Sequence, residues 1–452
     1  MKITFLGGAE TVTGSKILVE ANHKKILIDC GLFQGLKELR QINWEKLPLE
    51  ANEIDLILLT HAHLDHSGYI PLLVKNGYKG KIYCTSATKD LSEIILLDSG
   101  KIQEEDAERS NRHEYTKHKP AAPLYTSKDA AIAMQHFETF DMDMWYTFEE
   151  QIQFKFVNSG HILGSATVLL KIDGKTFVFS GDLGRKEPIL LPPPTFIKEA
   201  DYLVIESTYG NRLHEKVSIK DELLKYIDKT KVKGGVLIIP TFSVERAQEI
   251  IYLLSVLKRE NRLPSIPVYL DSPMGVNATE TYIKFSNYHK LTIEDIKSML
   301  STVHLVSDIE LSKAVVNDNN PKIVLAGSGM ITGGRVLHYL NKYIGDEKSS
   351  ILIVGYQAEG TRGRALLAGD TEIKFFGEYH QIKAEVFKIN AFSGHADQSE
   401  LIDWLQHFEK PPQLTFINHG EPHQSQALKT KIRTILGWNC TVAKMNKVYT
   451  LQ

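Results

Sequence analysis

Thr60-His61-Ala62-His63-Leu64-Asp65-His66 decides how this chain is read. It follows Ile54-Asp55-Leu56-Ile57-Leu58-Leu59, a short apolar run with the pattern of a buried strand. Three imidazoles and a carboxylate crowd into the positions from His61 to His66. A backbone turning out of a strand can aim such side chains at one point. Imidazole nitrogen and carboxylate oxygen are the ligands that suit zinc and its neighbours in the first transition row. A polar loop with chance histidines is the plain alternative, and it does not account for this density directly after a strand.

The chain around this run has 452 residues, which predicts two domains. Its 42% hydrophobic and 24% charged residues are those of a soluble globular protein. A net charge of −2 does not advertise nucleic-acid binding, which usually shows as a basic domain or stripe, and does not exclude a local basic funnel. Cys30, Cys84 and Cys440 are too few and too scattered for a disulfide framework or a CxxC metal pair, so a reducing compartment fits. The N-terminus carries no signal-peptide pattern, and no apolar run reaches the about 18 residues of a membrane span. The expected location is cytoplasmic.

Outward from the cluster, residues 1–60 read as strands, with Lys16 to Glu20 and Lys25 to Asp29 flanking a hairpin turn. Asp29 is read as a ligand, as a group holding the ligating histidines in position, or as a simple strand-end turn residue. Gly68 to Lys75, Ser86 to Arg109 and Ser127 to Phe137 have helical patterns, and the region from 86 to 137 is expected to be a surface excursion at the rim of the site. Strands return between 150 and 210. His161 and Asp182 each follow one among glycines, which let the backbone come close to a site. Asp201 to Ile205 is a further strand, and it ends at Glu206. From about residue 210, strands such as Val236 to Pro240 alternate with helices such as Val244 to Leu257, predicting a parallel sheet. His395 and His419 then follow late strands. Candidate ligands therefore lie on both sides of an α/β insertion, as expected of one metal domain interrupted by a second.

The His-x-His-x-Asp-His run, with Asp29 upstream and His161 and Asp182 downstream, resembles the metallo-β-lactamase superfamily. The likeness implies an α/β fold, an αβ/βα sandwich with metals at the edge between its sheets. Glu206 in Glu-Ser-Thr-Tyr-Gly, His395 in Phe-Ser-Gly-His-Ala-Asp and His419 in Asn-His-Gly-Glu look like the three motifs of the β-CASP branch, the nucleic-acid nucleases of that superfamily. Histidine at the third motif is the RNA-cleaving pattern. The resemblance implies a first metallo-β-lactamase part over 1–209, an inserted α/β β-CASP domain over 210–388 and a returning C-terminal part over 389–452.

It also implies roles. His61, His63, His161 and Asp182 hold one zinc; Asp65, His66, Asp182 and His419 hold the other, giving two Zn2+ per chain. His395 is the general acid, Glu206 orients it, and Asp65 and Asp182 count among the catalytic groups. Ser328, Gly329, Arg362, Arg364 and Ser393 are candidates for gripping RNA phosphates, with Arg335 behind them. The groove between domains is the expected path for single-stranded RNA, and the oligomeric state stays open. A small-molecule thioester or lactam hydrolase and a non-catalytic RNA-binding scaffold are the competing expectations.

Overall fold

The computed structural model describes residues 1–112 and 119–452; the centre of the polar stretch 111–123 lies outside the described residues. The chain divides into two compact units, Met1–Leu213 with His395–Gln452, and His214–Gly394. The second junction lies beyond 388 for a physical reason. The strand Glu385–Lys388 pairs in parallel with Ser350–Ile353, and the Ile389 N–H continues that bonding to the Ile353 carbonyl at 3.1 Å. Residues up to Gly394 therefore travel with the insertion.

The first unit holds two seven-stranded sheets. In each, an antiparallel half passes into a parallel half. Lys2–Gly7, Lys16–Ala21 and Lys24–Ile28 form an antiparallel meander, and Lys24–Ile28 then runs parallel to Leu56–Leu58. In the other sheet Ala166–Ile172 and Lys175–Phe179 are antiparallel, after which Lys175–Phe179, Tyr202–Ile205 and Leu414–Ile417 are parallel. The pleat explains why these strands read as unbroken apolar runs. Ile26, Ile28, Leu56, Leu58, Phe177, Phe179, Tyr202 and Val204 fill the core between the sheets. Leu27, Ile57 and Leu59 point the other way into one outer core, and Val178, Leu203 and Ile205 into another. This is the expected αβ/βα sandwich.

Two sequence expectations need correction. The helix Ser86–Arg112 is not a surface excursion in its first half: Leu91, Ile95 and Leu96 are buried, and Thr88 donates to the Gly164 carbonyl at 2.9 Å. The helical pattern of 127–137 ends early, because Phe137–Thr139 extends to pair with Lys81–Cys84 at the sheet edge. Sheet pairing overrides local propensity there.

The second unit is built on six strands, parallel throughout, in the order His304–Val306, Val268–Asp271, Lys322–Ala326, Val236–Pro240, Ser350–Ile353, Glu385–Lys388. Val236, Ile238, Val324, Ile351 and Ile353 pack on one side of this sheet with the helix Val336–Tyr343.

Candidate metal centre and acid–base pair

Five chemistry-bearing residues stand just past the carboxyl ends of parallel strands in the first unit. Asp29 follows Lys24–Ile28, His61 follows Leu56–Leu58, Asp182 follows Lys175–Phe179, Glu206 follows Tyr202–Ile205 and His419 follows Leu414–Ile417. Parallel strands put these ends side by side, where crevices in α/β sheets carry their sites. Asp29 and His419 adopt left-handed backbone, φ 60° and 47°. For a side-chain-bearing residue this is a costly conformation. It is held by Asp29 N–H donating to the Leu58 carbonyl at 3.0 Å and His419 N–H to the Gly8 carbonyl at 2.7 Å. Glycines allow the close packing. A Cβ on Gly31 would sit 1.7 Å from the Asp65 carbonyl oxygen, and one on Gly184 would sit 1.8 Å from that of Gly160.

The side chains gather into two lobes. In one, His63 Nδ1 lies 3.1 Å from His61 Nε2 and 3.2 Å from His161 Nε2. Asp182 Oδ2 lies 3.6 Å from His61 Nε2 and 3.5 Å from His161 Nε2. In the other, Asp182 Oδ1 lies 3.3 Å from His66 Nε2 and 3.5 Å from His419 Nε2, and Asp65 Oδ2 lies 3.7 Å from His419 Nε2. Tetrahedral donors at zinc bond lengths stand about 3.3–3.4 Å apart. The spacing fits an ion in each lobe, with one Asp182 oxygen turned to each. His66 Nε2 and Asp182 Oδ1 are buried without a hydrogen-bond partner, as atoms reserved for a metal would be. Among the described residues the groups able to hold an ion include both lobes.

Electrostatics agree. Burial, reinforced by the neighbouring imidazoles, pushes the His61 imidazole well below its ordinary range, and burial brings His63 down to about 4. Both are therefore neutral, with lone pairs to offer, at neutral pH. Burial acts the same way on His66, but the carboxylates of Asp182 and Asp29 overcome it and hold His66 well above its ordinary value. A metal arriving at His66 displaces a proton.

Asp29 supports both lobes. It accepts from His66 Nδ1 at 2.6 Å, from the Thr60 N–H at 2.8 Å and from the Thr60 hydroxyl at 3.0 Å; that hydroxyl also meets His61 Nδ1 at 3.0 Å. One carboxylate thus orients ligands of both lobes, one of them through Thr60. Sequence reasoning gives no signal for Thr60, since a hydroxyl at a strand end usually caps a turn. Asp29→Asn would turn an amide N–H against one of these donors. We expect metal affinity to fall about 10–100-fold, read by competition with a chromophoric chelator. Unchanged affinity would remove Asp29 from this role.

Beside the cluster stands a second pair. His395 Nδ1 is 3.1 Å from Glu206 Oε1 and 3.9 Å from Asp182 Oδ2. Glu206 is buried and accepts from the Leu183 N–H at 2.7 Å and the Thr208 N–H at 3.2 Å, so it caps its own turn as well as facing His395. The Leu183 carbonyl in turn accepts from Ala396 N–H at 2.8 Å, fixing the chain next to His395. Burial alone would lower the His395 imidazole; the charge and hydrogen bond of Glu206, then Asp182 and Asp65, raise it to about 9.

In the inserted unit the candidate phosphate-gripping residues have other partners. Arg362 donates to the backbone carbonyls of Lys374, Ile331 and Thr332 at 2.7, 3.1 and 3.0 Å, clamping a loop. Arg335 pairs with buried Asp271 and the Ser307 carbonyl. The Ser328 hydroxyl accepts from the Thr332 N–H at 3.0 Å, and Gly329 presses against the Phe242 ring, where a Cβ would come within 2.5 Å. Ser393 is buried. Arg364 is about half exposed and pairs with Glu359 at 2.9 Å.

Fold and cluster together define a metal-dependent hydrolase. The metallo-β-lactamase superfamily model matches residues 12–224, the β-CASP domain model 247–366, and a Zn-dependent metallo-hydrolase RNA specificity domain model 379–443. A ribonuclease of Thermus thermophilus is 36% identical over 99% of this chain and 99% of its own length. An RNase J-like protein of Methanocaldococcus jannaschii is 34% identical over 94% of this chain and 93% of its own length. A solved structure of an Enterococcus faecalis protein of unknown function, 13% identical, covers 100% of this chain and 99% of its own with a TM-score of 0.54, a likeness of fold. The chain belongs to the β-CASP branch of the metallo-β-lactamase superfamily, the nucleases of that fold. No helix among the described residues is long and apolar enough to cross a membrane.

Proposed function

We propose that this protein is a zinc-dependent ribonuclease that hydrolyses phosphodiester bonds of single-stranded RNA in cytoplasmic RNA processing or decay. The observation that carries the reading is the Asp182 carboxylate, one oxygen in each lobe, with the His395–Glu206 pair beside it. His61, His63, His161 and Asp182 would hold one Zn2+, and Asp65, His66, Asp182 and His419 the other. Bound there, the two ions would supply an acidified water at neutral pH and charge stabilisation at phosphorus. The names of the relatives and the RNA specificity match at 379–443 support RNA as the substrate.

The chain's own groups complete the reaction. His395, kept protonated by Glu206, donates from Nε2 to the departing ribose oxygen, since Nδ1 is turned to the carboxylate. Asp65, 19% exposed where Asp182 is buried, orients the attacking water. Arg364, about half exposed, is the candidate contact for a phosphate of the RNA, with Ser328, Gly329 and Ser393 as further candidates; Arg362 acts through the loop it clamps.

The test is an end-labelled single-stranded RNA beside thioester and lactam probes, with zinc-loaded and chelator-stripped protein. RNA should be cut only by the loaded form. Turnover of the small esters without RNA cleavage would sink the proposal. A pH profile adds detail. Glu206→Gln removes the leading influence that raises His395, so the alkaline limb of kcat should move to lower pH, by about 1–3 units. A limb that stays put would break the link between Glu206 and the acid.

A further inference from the structure

Beneath the two lobes, within the first unit, lies a small cavity of about 20 Å³, lined in part by Ser15, Asp29, Asn418 and His419. One water needs about 10–15 Å³ of such space and two to four polar partners. Two of its lining residues each carry an orphaned atom. His419 Nδ1 and Asn418 Oδ1 are both buried, and neither has a hydrogen-bond partner. They are complementary. With His419 Nε2 turned to Asp65 and Asp182, Nδ1 carries the ring proton and needs an acceptor; Asn418 Oδ1 needs a donor.

The other ligating rings show what is missing. His61 Nδ1 meets the Thr60 hydroxyl at 3.0 Å, and His66 Nδ1 meets Asp29 at 2.6 Å. Histidines that bind metal nearly always donate their second N–H to such a partner, a carboxylate, a carbonyl or a water. For His419 the protein supplies none. The two residues are neighbours, but their side-chain atoms do not bond to each other, and their backbones are tied to different segments: Asn418 N–H to the Ile205 carbonyl at 2.9 Å and His419 N–H to that of Gly8 at 2.7 Å.

We infer that one ordered water fills this cavity, accepting from His419 Nδ1–H and donating to Asn418 Oδ1. Asn418 is then a positioning residue for the lobe of Asp65, His66 and His419, acting through the water. Ser15, whose hydroxyl reaches Asp29 Oδ2 only at 3.4 Å, gives that water its third partner. The inference rests on the two-zinc reading above.

Zinc titration against a chromophoric chelator tests it with the unsubstituted protein, Asn418→Leu and Asn418→Asp. Leucine matches the shape without the acceptor; aspartate keeps an acceptor. Asn418→Leu should weaken one of the two zinc ions about tenfold and leave the other within about twofold, and Asn418→Asp should retain both. A crystal structure of the unsubstituted zinc form should show solvent density within hydrogen-bond distance of both atoms, a readout independent of how the leucine variant folds. Two zinc ions held by Asn418→Leu as tightly as by the unsubstituted protein, or a map without that solvent, would overturn the inference. An unsubstituted protein that binds no zinc would instead overturn the parent reading, and this inference with it.

Discussion

Asp182→Ala is expected to bind neither metal ion at the native affinity and to lose RNA cleavage by at least about 10²–10³-fold, the cost of removing one buried charge-stabilising group. The expectation follows from position. Asp182 turns one oxygen to each lobe, 3.5–3.6 Å from the nitrogens of His61 and His161 and 3.3–3.5 Å from those of His66 and His419. Other ligand losses should empty one lobe; this one weakens both. It also changes the charge balance, since Asp182 is the strongest influence holding the His66 proton. Without the carboxylate His66 is freer to lose that proton, but the three imidazoles of one lobe lose the carboxylate that faces them, and the Nε2 atoms of His66 and His419 keep only Asp65, at 3.9 and 3.7 Å. Metal content after dialysis, with thermal unfolding with and without zinc, reads the effect. Ligand that binds only the folded state raises stability by mass action, so zinc should lift the melting temperature of the unsubstituted protein and barely move that of the variant. Full metal content together with native cleavage in Asp182→Ala would dismiss the shared-carboxylate arrangement.

What could be read from the sequence, and what could not, divides along one physical line. Residues whose chemistry is rare in a core announce themselves when they follow an apolar run: His61 after Leu59, Asp182 soon after Phe179, Glu206 after Ile205, His419 soon after Ile417. Parallel pairing of Tyr202–Ile205 with Leu414–Ile417 then sets the strand ends before Glu206 and His419 side by side, while the Ala396 N–H bond to the Leu183 carbonyl holds His395, 189 positions from Glu206, at 3.1 Å from it. The inserted parallel sheet was legible in the alternation of apolar strands with helices, since strands buried on both faces read as continuous apolar stretches, whereas the sandwich came from the family resemblance of the motifs. Residues whose chemistry is common were not legible. Thr60 and Asn418 look like any strand-end polar group until the fold sets them against a ligating imidazole or a cavity. Arg362 and Arg364 stand two positions apart in one Gly-Thr-Arg-Gly-Arg motif, yet one clamps three backbone carbonyls and the other is half exposed. A guanidinium fork suits carbonyls as well as phosphates. Only tertiary contacts separate those uses.

His395→Ala should separate acid catalysis from metal binding. The side chain is not among the ligand atoms of either lobe, and its Nδ1 stands 3.9 Å from the nearer Asp182 oxygen. Metal content should therefore stay native, while cleavage falls by about 10²–10⁴-fold, the usual contribution of a positioned proton donor. The size of the loss should depend on the leaving group. A ribose oxygen departs poorly as an anion and needs the proton; a nitrophenolate departs readily without one. A bis(nitrophenyl) phosphodiester, cut by the same metal-loaded protein, should then lose little activity in the variant while RNA loses most. The pH profile adds the sign. In the metal-free protein Glu206 leads the groups that raise His395 to about 9, so activity toward RNA should decline as pH rises through the alkaline limb that this proton sets. His395→Ala has no such group to lose, and its residual cleavage should show no alkaline limb in this range. Equal losses on both substrates, with native metal content, would make His395 a substrate-positioning group rather than the acid. The buried carboxylate of Glu206, itself pinned by two backbone N–H groups, is placed to keep the proton that the acid role requires.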